Sequence, residues 1–272
     1  MRFQTRGLTS TARLNEMKIH DNCSSGFRQR LCGFKLFLMC GRFTLKTSAE
    51  QLARVFALLR VPEWTPRYNI APSQNIVVIR QTSAGREPAL MQWGLIPSWA
   101  NDARFGAKMM NARSETAHEK PTFREAFKSR RCLIPADGFF EWQKVTSKIK
   151  QPFFIGVNSN DPVAFAGLWE TWESQPEPGS TESQVIESCT ILTTDANSAI
   201  ADVHNRMPVI LNEADYDRWL NPDEKNQQTL LDLLKPYPAE EMDFHPISTL
   251  VNNVKNDVSE CLEPQKQSGR LF

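Results

Sequence analysis

Cys132 to Leu168, CLIPADGFFEWQKVTSKIKQPFFIGVNSNDPVAFAGL, is the stretch on which the fold turns. It contains the runs Cys132–Pro135, Phe139–Gln143, Phe153–Val157 and Val163–Leu168, each rich in aromatic or β-branched residues. Such side chains suit a pleated, half-buried surface, so four short strands are expected in quick succession. Outward from this stretch the same signal recurs. Ile76–Arg80 and Ala89–Trp93 read as strands around a turn at Ser83-Ala84-Gly85, and Ser188–Thr193 reads as another.

Helices are fewer. Thr47-x-x-Glu50 is a capping box ahead of Leu52, Val55, Phe56 and Leu59, whose spacing predicts an amphipathic helix. A second box, Thr122-x-x-Glu125, opens a short helix over Thr122–Lys128, and Glu213–Leu220 and Gln227–Leu234 complete the set. Ser174–Ser183, with its Pro, Gly and polar residues, is a loop. No internal repeat is present. Many short strands with a few helices make an α+β class, mostly β, and one domain over residues 39–256.

The chain has 272 residues, which allows one domain or two small ones. An apolar fraction of 40%, with 7 Trp and 16 Phe, supports a substantial core. The 32 basic and 31 acidic residues nearly cancel, so binding of nucleic acid requires a local patch rather than a basic coat. The six cysteines, Cys23, Cys32, Cys40, Cys132, Cys189 and Cys261, include no C-x-x-C pair, so neither a zinc site nor a disulfide framework is expected. No cofactor is called for. No apolar run reaches membrane-spanning length, and a reduced, cytoplasmic setting is expected.

Residues 1–38 differ from the rest. Their Arg and Lys residues face only Glu16 and Asp21 in charge, and no helical or strand period is sustained. Three readings stay open: an untranslated leader with Met39 as the start, a transit peptide, or a pro-segment removed later. Residues 257–272 read as a loose polar tail.

Four clusters carry chemistry. In Met39-Cys40-Gly41-Arg42, removal of the residues before Cys40 exposes an α-amine and a thiol on adjacent carbons, a specific trap for aldehydes. The amine forms an imine with loss of water, and the thiol closes a thiazolidine ring. An α-amine with a pKa of about 7.7–8.0 is partly neutral near pH 7 and can attack a carbonyl. Taken alone, Cys40 reads first as an ordinary buried thiol at a strand start.

Glu141, in Gly138-Phe139-Phe140-Glu141-Trp142, sits in an apolar setting that suits a proton shuttle. On a strand it shares a face with Phe139 and opposes Phe140 and Trp142. The plainer reading is a solvent-facing carboxylate. His204, in His204-Asn205-Arg206-Met207-Pro208, titrates near neutrality, although a lone His is commonly structural. Arg113 and Arg206 stand two residues after Asn111 and His204, on the same strand faces, and are candidates for phosphate contact. Residues 104–131 are rich in Lys and Arg, a candidate local basic patch, with plain solvated surface as the usual reading of such a run. In Trp93-Gly94-Leu95-Ile96-Pro97-Ser98-Trp99, both Trp suit stacking on unpaired bases, with core packing as the alternative.

Taken together, the clusters resemble the SOS-response-associated peptidase family of abasic-site processing proteins. The resemblance runs from Met39 to about Asn256. It rests on Cys40-Gly41-Arg42-Phe43, Tyr68-Asn69-Ile70-Ala71-Pro72, the Trp93–Trp99 turn, Asn111–Glu115, Arg131–Pro135, Gly138–Trp142, Ala166–Glu170 and His204–Pro208. It implies a compact β-rich domain, with a mixed or barrel-like sheet, a few flanking helices and a positively charged channel for single-stranded DNA. It also implies that Cys40 forms a thiazolidine with the opened sugar of an abasic site. Asn111 would then orient the amine, Glu141 would assist proton transfer, and His204 would act as acid or base. Arg42, Arg113 and Arg206 would contact DNA, with Trp93 and Trp99 stacking on bases. Lyase and self-processing peptidase activities are also implied, as are a monomeric state and association with the nucleoid when bound to damaged DNA. Phe140 stands where a Tyr is common.

Two other readings fit the residues. In one, Cys40, His204 and Asn111 or Glu141 form a thiol hydrolase, which tolerates a blocked amine. In the other, the Trp residues and basic patch form a non-catalytic module for single-stranded DNA, whose binding survives Cys40→Ala.

Overall fold

The computed structural model describes residues 41–159, 161–175 and 182–265, all within one compact unit. In chain order the first half contains β1 (Phe43–Leu45), α1 (Ala49–Val55), β2 (Arg67–Ile70), β3 (Asn75–Thr82), β4 (Gly85–Trp93), β5 (Asn111–Arg113), α2 (Ser114–Ala117), α3 (Arg124–Ser129) and β6 (Arg131–Ala136). The second half contains β7 (Gly138–Lys144), β8 (Lys150–Val157), β9 (Val163–Glu173), β10 (Val185–Asp195), β11 (Arg206–Pro208), β12 (Ile210–Leu211), α4 (Tyr216–Leu220), α5 (Gln227–Leu231) and β13 (Met242–Pro246). All seven strands expected from the sequence are present.

Five of them close on themselves. β3 pairs antiparallel with β4 around the two-residue turn Ser83-Ala84. β4 runs parallel to β10 at Ser188 and Cys189, and β10 pairs antiparallel with β9 from Val185 to Ile191. β9 pairs antiparallel with β6, which returns to β3 at Ile79 and Leu133. The result is a mixed five-stranded barrel, and closure removes the open edges that would otherwise seek partners. A second sheet, in the order β13-β8-β7-β1-β2, packs on it. Aromatic rings join the two: Phe43 lies edge-on to Trp93 at 5.2 Å and to Phe165 at 6.0 Å, and Phe139 meets Phe165 at 6.1 Å.

The period of two on β7 decides what faces where. Phe139 enters the main core, whereas Phe140 packs with Ile247, Val251 and Cys261, and Trp142 lies against that second cluster. Glu141 therefore shares the Phe139 face, as expected of a strand.

Some local expectations are corrected. The cap of α1 is Ser48, whose hydroxyl accepts from the Gln51 N–H, because Thr47 is held by Asp137 instead. The helix stops at Val55, ahead of Ala57 in a left-handed conformation (φ 49°), which leaves Leu59 exposed. α3 starts at Arg124 without a side-chain cap, so the box at Thr122 is not used. The stretch from Asp257 is also not all loose. Asp257 accepts from the Tyr68 and Asn69 N–H groups and pairs with Arg67, while Cys261 is fully buried. Buried Asn69 further donates its amide to the carbonyls of Val251, Asn253 and Asn256, which binds this segment to β2. The remaining tail and the leader lie outside the described residues.

Candidate active site

Glu141 is only 2% exposed, which rules out the solvent-facing reading. Its carboxylate Oε1 lies 3.9 Å from His204 Nδ1. β7 places the carboxylate, and a tight loop places the imidazole. In that loop Asn197 Oδ1 accepts from the Ala199 and Ile200 N–H groups, the His204 N–H donates to the Ile200 carbonyl, and Ile200 and Val203 are buried. Gln143 Nε2 donates to the Asp202 carbonyl and so ties β7 to the same loop.

His204 Nδ1 is 3.1 Å from the Arg206 N–H and 3.2 Å from the Arg206 carbonyl. A neutral ring with its proton on Nε2 accepts from the N–H; a ring protonated at Nδ1 turns to the carbonyl and to Glu141. The site thus offers a partner to either state, which suits a group that passes a proton. Burial draws the His204 pKa below the usual value, reinforced by the charges of Lys150 and Arg206 and only partly offset by the Arg206 carbonyl. With the folded pKa depressed, the neutral ring persists below about pH 6.5. The stability it contributes is present above the unfolded pKa and is lost as pH falls through the folded one. Any rate that needs neutral His204 is expected to hold from pH 7 through 6.5 and to fall only at lower pH. The Cys40 amine adds its own break at higher pH, so the check is the His204 ring itself: an NMR titration in which it gains its proton at or above pH 6.5 would contradict this.

Asn111 is half-buried in β5, which runs parallel to β10 with Asn111 opposite Ile191. β11 pairs antiparallel with the next part of β10, so β10 carries the Asn111 strand and the strand after His204 within a few residues. Arg206 joins them. Its guanidinium takes the Glu115 carboxylate at 2.7 and 2.9 Å, Asp195 at 2.7 Å and the Thr193 carbonyl. Burial pushes the Glu115 carboxyl up, but the bonds and charge of Arg206 outweigh it and hold the carboxyl below its usual range.

Arg206, a candidate phosphate contact, has protein partners in this fold. The residue is buried, and both its terminal nitrogens are committed to protein acceptors. The stacking expectation for Trp93 is corrected. It is 0% exposed and donates its indole N–H to the Met110 carbonyl, so neither ring face is open to a base. The barrel needed a large ring against Phe43, and the turn signal did not reveal that. Trp99 is 56% exposed and lies edge-on to Phe105, leaving a usable face. Arg113 is exposed. Arg42 is half-buried; it donates to Asn69 Oδ1 and the Val251 carbonyl and lies over the Trp142 ring at 5.7 Å.

Arg42 opens into a cavity of about 590 Å³, lined also by Trp142, Lys148, Ile149, Lys150 and Asn252. Sequence reading gave both strands of this β7–β8 hairpin but assigned its connecting segment no part in the site. The available signal was its three lysines, Lys144, Lys148 and Lys150, beside Trp142. Cys40 lies outside the described residues. Its neighbour Gly41 is described, and the Arg42 carbonyl accepts from the Phe140 N–H, one residue before Glu141. Cys132, Cys189 and Cys261 are free and buried.

Comparison with known proteins adds to this geometry. The family model described as SOS response associated peptidase (SRAP) matches residues 39–254. The chain is 42% identical over 228 residues to the abasic site processing protein YoqW of Bacillus subtilis (strain 168), covering 83% of this chain and 99% of that protein. It is 32% identical over 269 residues to the abasic site processing protein HMCES of Gallus gallus, covering 83% and 78%. Among solved structures, a protein from Bacteroides thetaiotaomicron matches with a TM-score of 0.72 and 26% identity, over 83% of this chain and 100% of that one. Another, from Bordetella bronchiseptica, matches with a TM-score of 0.64 and 30% identity, over 77% and 100%.

Proposed function

The chain belongs to the SOS response associated peptidase family, and we propose that it processes abasic sites in single-stranded DNA by a covalent bond to Cys40. The observation that carries this reading is the buried Glu141 beside His204, on the strand that pairs with the chain two residues from Cys40. The relatives' names point to the substrate, and Glu141 and His204 are residues of a kind suited to proton transfer.

The abasic sugar first opens to its C1′ aldehyde, which needs a proton moved between ring oxygen and hydroxyl. His204 performs that step. The Cys40 α-amine then adds to the aldehyde, and the resulting carbinolamine loses water as Glu141 delivers a proton to the departing hydroxyl. The thiol adds to the imine carbon, its proton passing to nitrogen, and closes the thiazolidine. One water is lost overall. Asn111 orients the amine. Arg42, Arg113 and Trp99 hold the strand, with the protein acting as a monomer. The chemistry needs a reduced thiol, hence a cytoplasmic setting and the nucleoid when damage is bound. Peptidase activity would release the residues ahead of Cys40, and lyase activity would cleave the DNA backbone at the opened sugar.

Mixing the expressed full reading frame with DNA carrying one abasic site, and measuring the intact mass of the denaturation-resistant product, tests the reading. The expected product begins at Cys40 and is joined to DNA with loss of one water. Adduct only from a chain started at Met39 would make residues 1–38 a leader foreign to the active form. Adduct from neither would leave the thiol hydrolase and the simple DNA-binding module. Glu141→Ala and His204→Ala are each expected to slow adduct formation by about 10²–10⁴-fold, the usual worth of a positioned acid or base. Wild-type rates in both would remove them from the mechanism.

A further inference from the structure

We propose that Asn252 is a positioning residue for DNA binding: its carboxamide sets the Trp142 indole on the wall of the Arg42 cavity, where the ring meets the strand. This rests on the reading above, in which single-stranded DNA is the substrate. The arrangement is built from the backbone outward. The short helical turn Thr249–Asn252 opens on Ser248, whose hydroxyl accepts from the Leu250 N–H. Val251 is fully buried beside Phe140, Ile247 and Cys261, and its carbonyl accepts from Arg42 and from Asn69. The Asn253 carbonyl accepts from the same Asn69 amide. Asn252 thus sits between two carbonyls gripped by one buried side chain. Asp257 ties the residues that follow to the Tyr68 and Asn69 N–H groups.

What this fixed backbone leaves outside is the Asn252 side chain, which is exposed. Its Oδ1 accepts from the Trp142 indole N–H at 2.7 Å. The indole is held on two further sides. Its body packs against the cluster of Phe140 and Val251, and the Arg42 guanidinium lies over it at 5.7 Å. The second side-chain torsion of an aromatic residue is broad, so packing alone leaves the angle of a half-buried ring loose. A hydrogen bond to an acceptor on a rigid turn fixes that angle. The ring so fixed lines the cavity of about 590 Å³ with Arg42, Lys148 and Lys150 beside it. An aromatic plane among cations is the combination that holds an unpaired base and its phosphate. Asn252 carries no charge, so it acts on the stacking geometry and not on phosphate attraction.

The test uses the full chain and its Asn252→Ala, Trp142→Phe and doubly substituted forms. Affinity is measured for a single-stranded oligonucleotide carrying a non-reactive tetrahydrofuran in place of the abasic sugar. The Trp142 indole ¹⁵N–¹H resonance, identified by its loss in Trp142→Phe, reports the hydrogen bond. Asn252→Ala is expected to weaken binding about three- to tenfold, a part of the worth of one stacked base. Its Tm and its salt slope should stay as in wild type, because the residue is exposed and no cation is lost. Trp142→Phe keeps a ring but removes the N–H, and should weaken binding similarly. Asn252→Ala on top of Trp142→Phe should add less than about twofold, as for residues that act through one contact. The indole resonance should shift in Asn252→Ala. Wild-type affinity in Asn252→Ala, or losses that multiply in the double variant, would overturn the proposal. A salt slope lowered by about one would route the effect through Arg42 instead and also overturn it. A wild-type chain that does not bind this DNA removes the substrate reading, and the proposal with it. Wild-type binding with an unaltered indole resonance in Asn252→Ala removes the proposal alone.

Discussion

Cys40→Ala, in a chain whose first residue is residue 40, is expected to yield no denaturation-resistant DNA adduct while keeping reversible binding. The effect is all-or-none because the thiazolidine needs both groups of one residue: without the thiol the imine cannot close and hydrolyses back. A chain with Met39 still attached should behave similarly, since its thiol is present but its amine is blocked. The two variants together separate the main reading from the thiol hydrolase, which would keep activity with a blocked amine. On the proposed reading binding depends on Arg42, Arg113, Trp99 and the lysines near the cavity, and it should fall with salt in both variants as in wild type. Adduct at wild-type yield from Cys40→Ala would sink the mechanism.

Trp93→Ala should strike the fold rather than the DNA-binding face. Removing a fully buried indole costs about 3–5 kcal/mol, against a total stability of about 5–15 kcal/mol for a typical domain. The Met110 carbonyl also loses its donor. A fall in Tm on the order of 10 °C or more is expected. Trp99→Ala should do the reverse, leaving Tm within a few degrees and weakening binding of single-stranded DNA by about 1–3 kcal/mol, the worth of one stacked base. An unchanged Tm with weakened binding in Trp93→Ala would return that residue to the interface.

The contrast between these two tryptophans shows where a sequence stops informing. Trp93 and Trp99 occupy one turn motif, and nothing local separates them. Trp93 ends a barrel strand and meets Phe43 from the other sheet, a contact between residues distant in the chain. The same holds for Arg206, which stands two residues after His204, where a phosphate-binding Arg would also fit. Its partners are Glu115 and Asp195, and only the parallel pairing of β5 with β10 brings Glu115 within reach. Cap choice failed for a similar reason: Thr47 matched the box, but Asp137 claimed its hydroxyl.

By itself, the sequence determined seven of the strands, the face of β7 shared by Phe139 and Glu141, and a set of candidate residues for the chemistry. Those follow from a side-chain period of two and from the functional groups available. Only the tertiary structure decided that five strands close into a barrel, that Glu141 is buried 3.9 Å from His204, and which arginines stay open to solvent. These depend on pairings across long sequence separations, and they are selected by burial and charge compensation that no short window of residues contains.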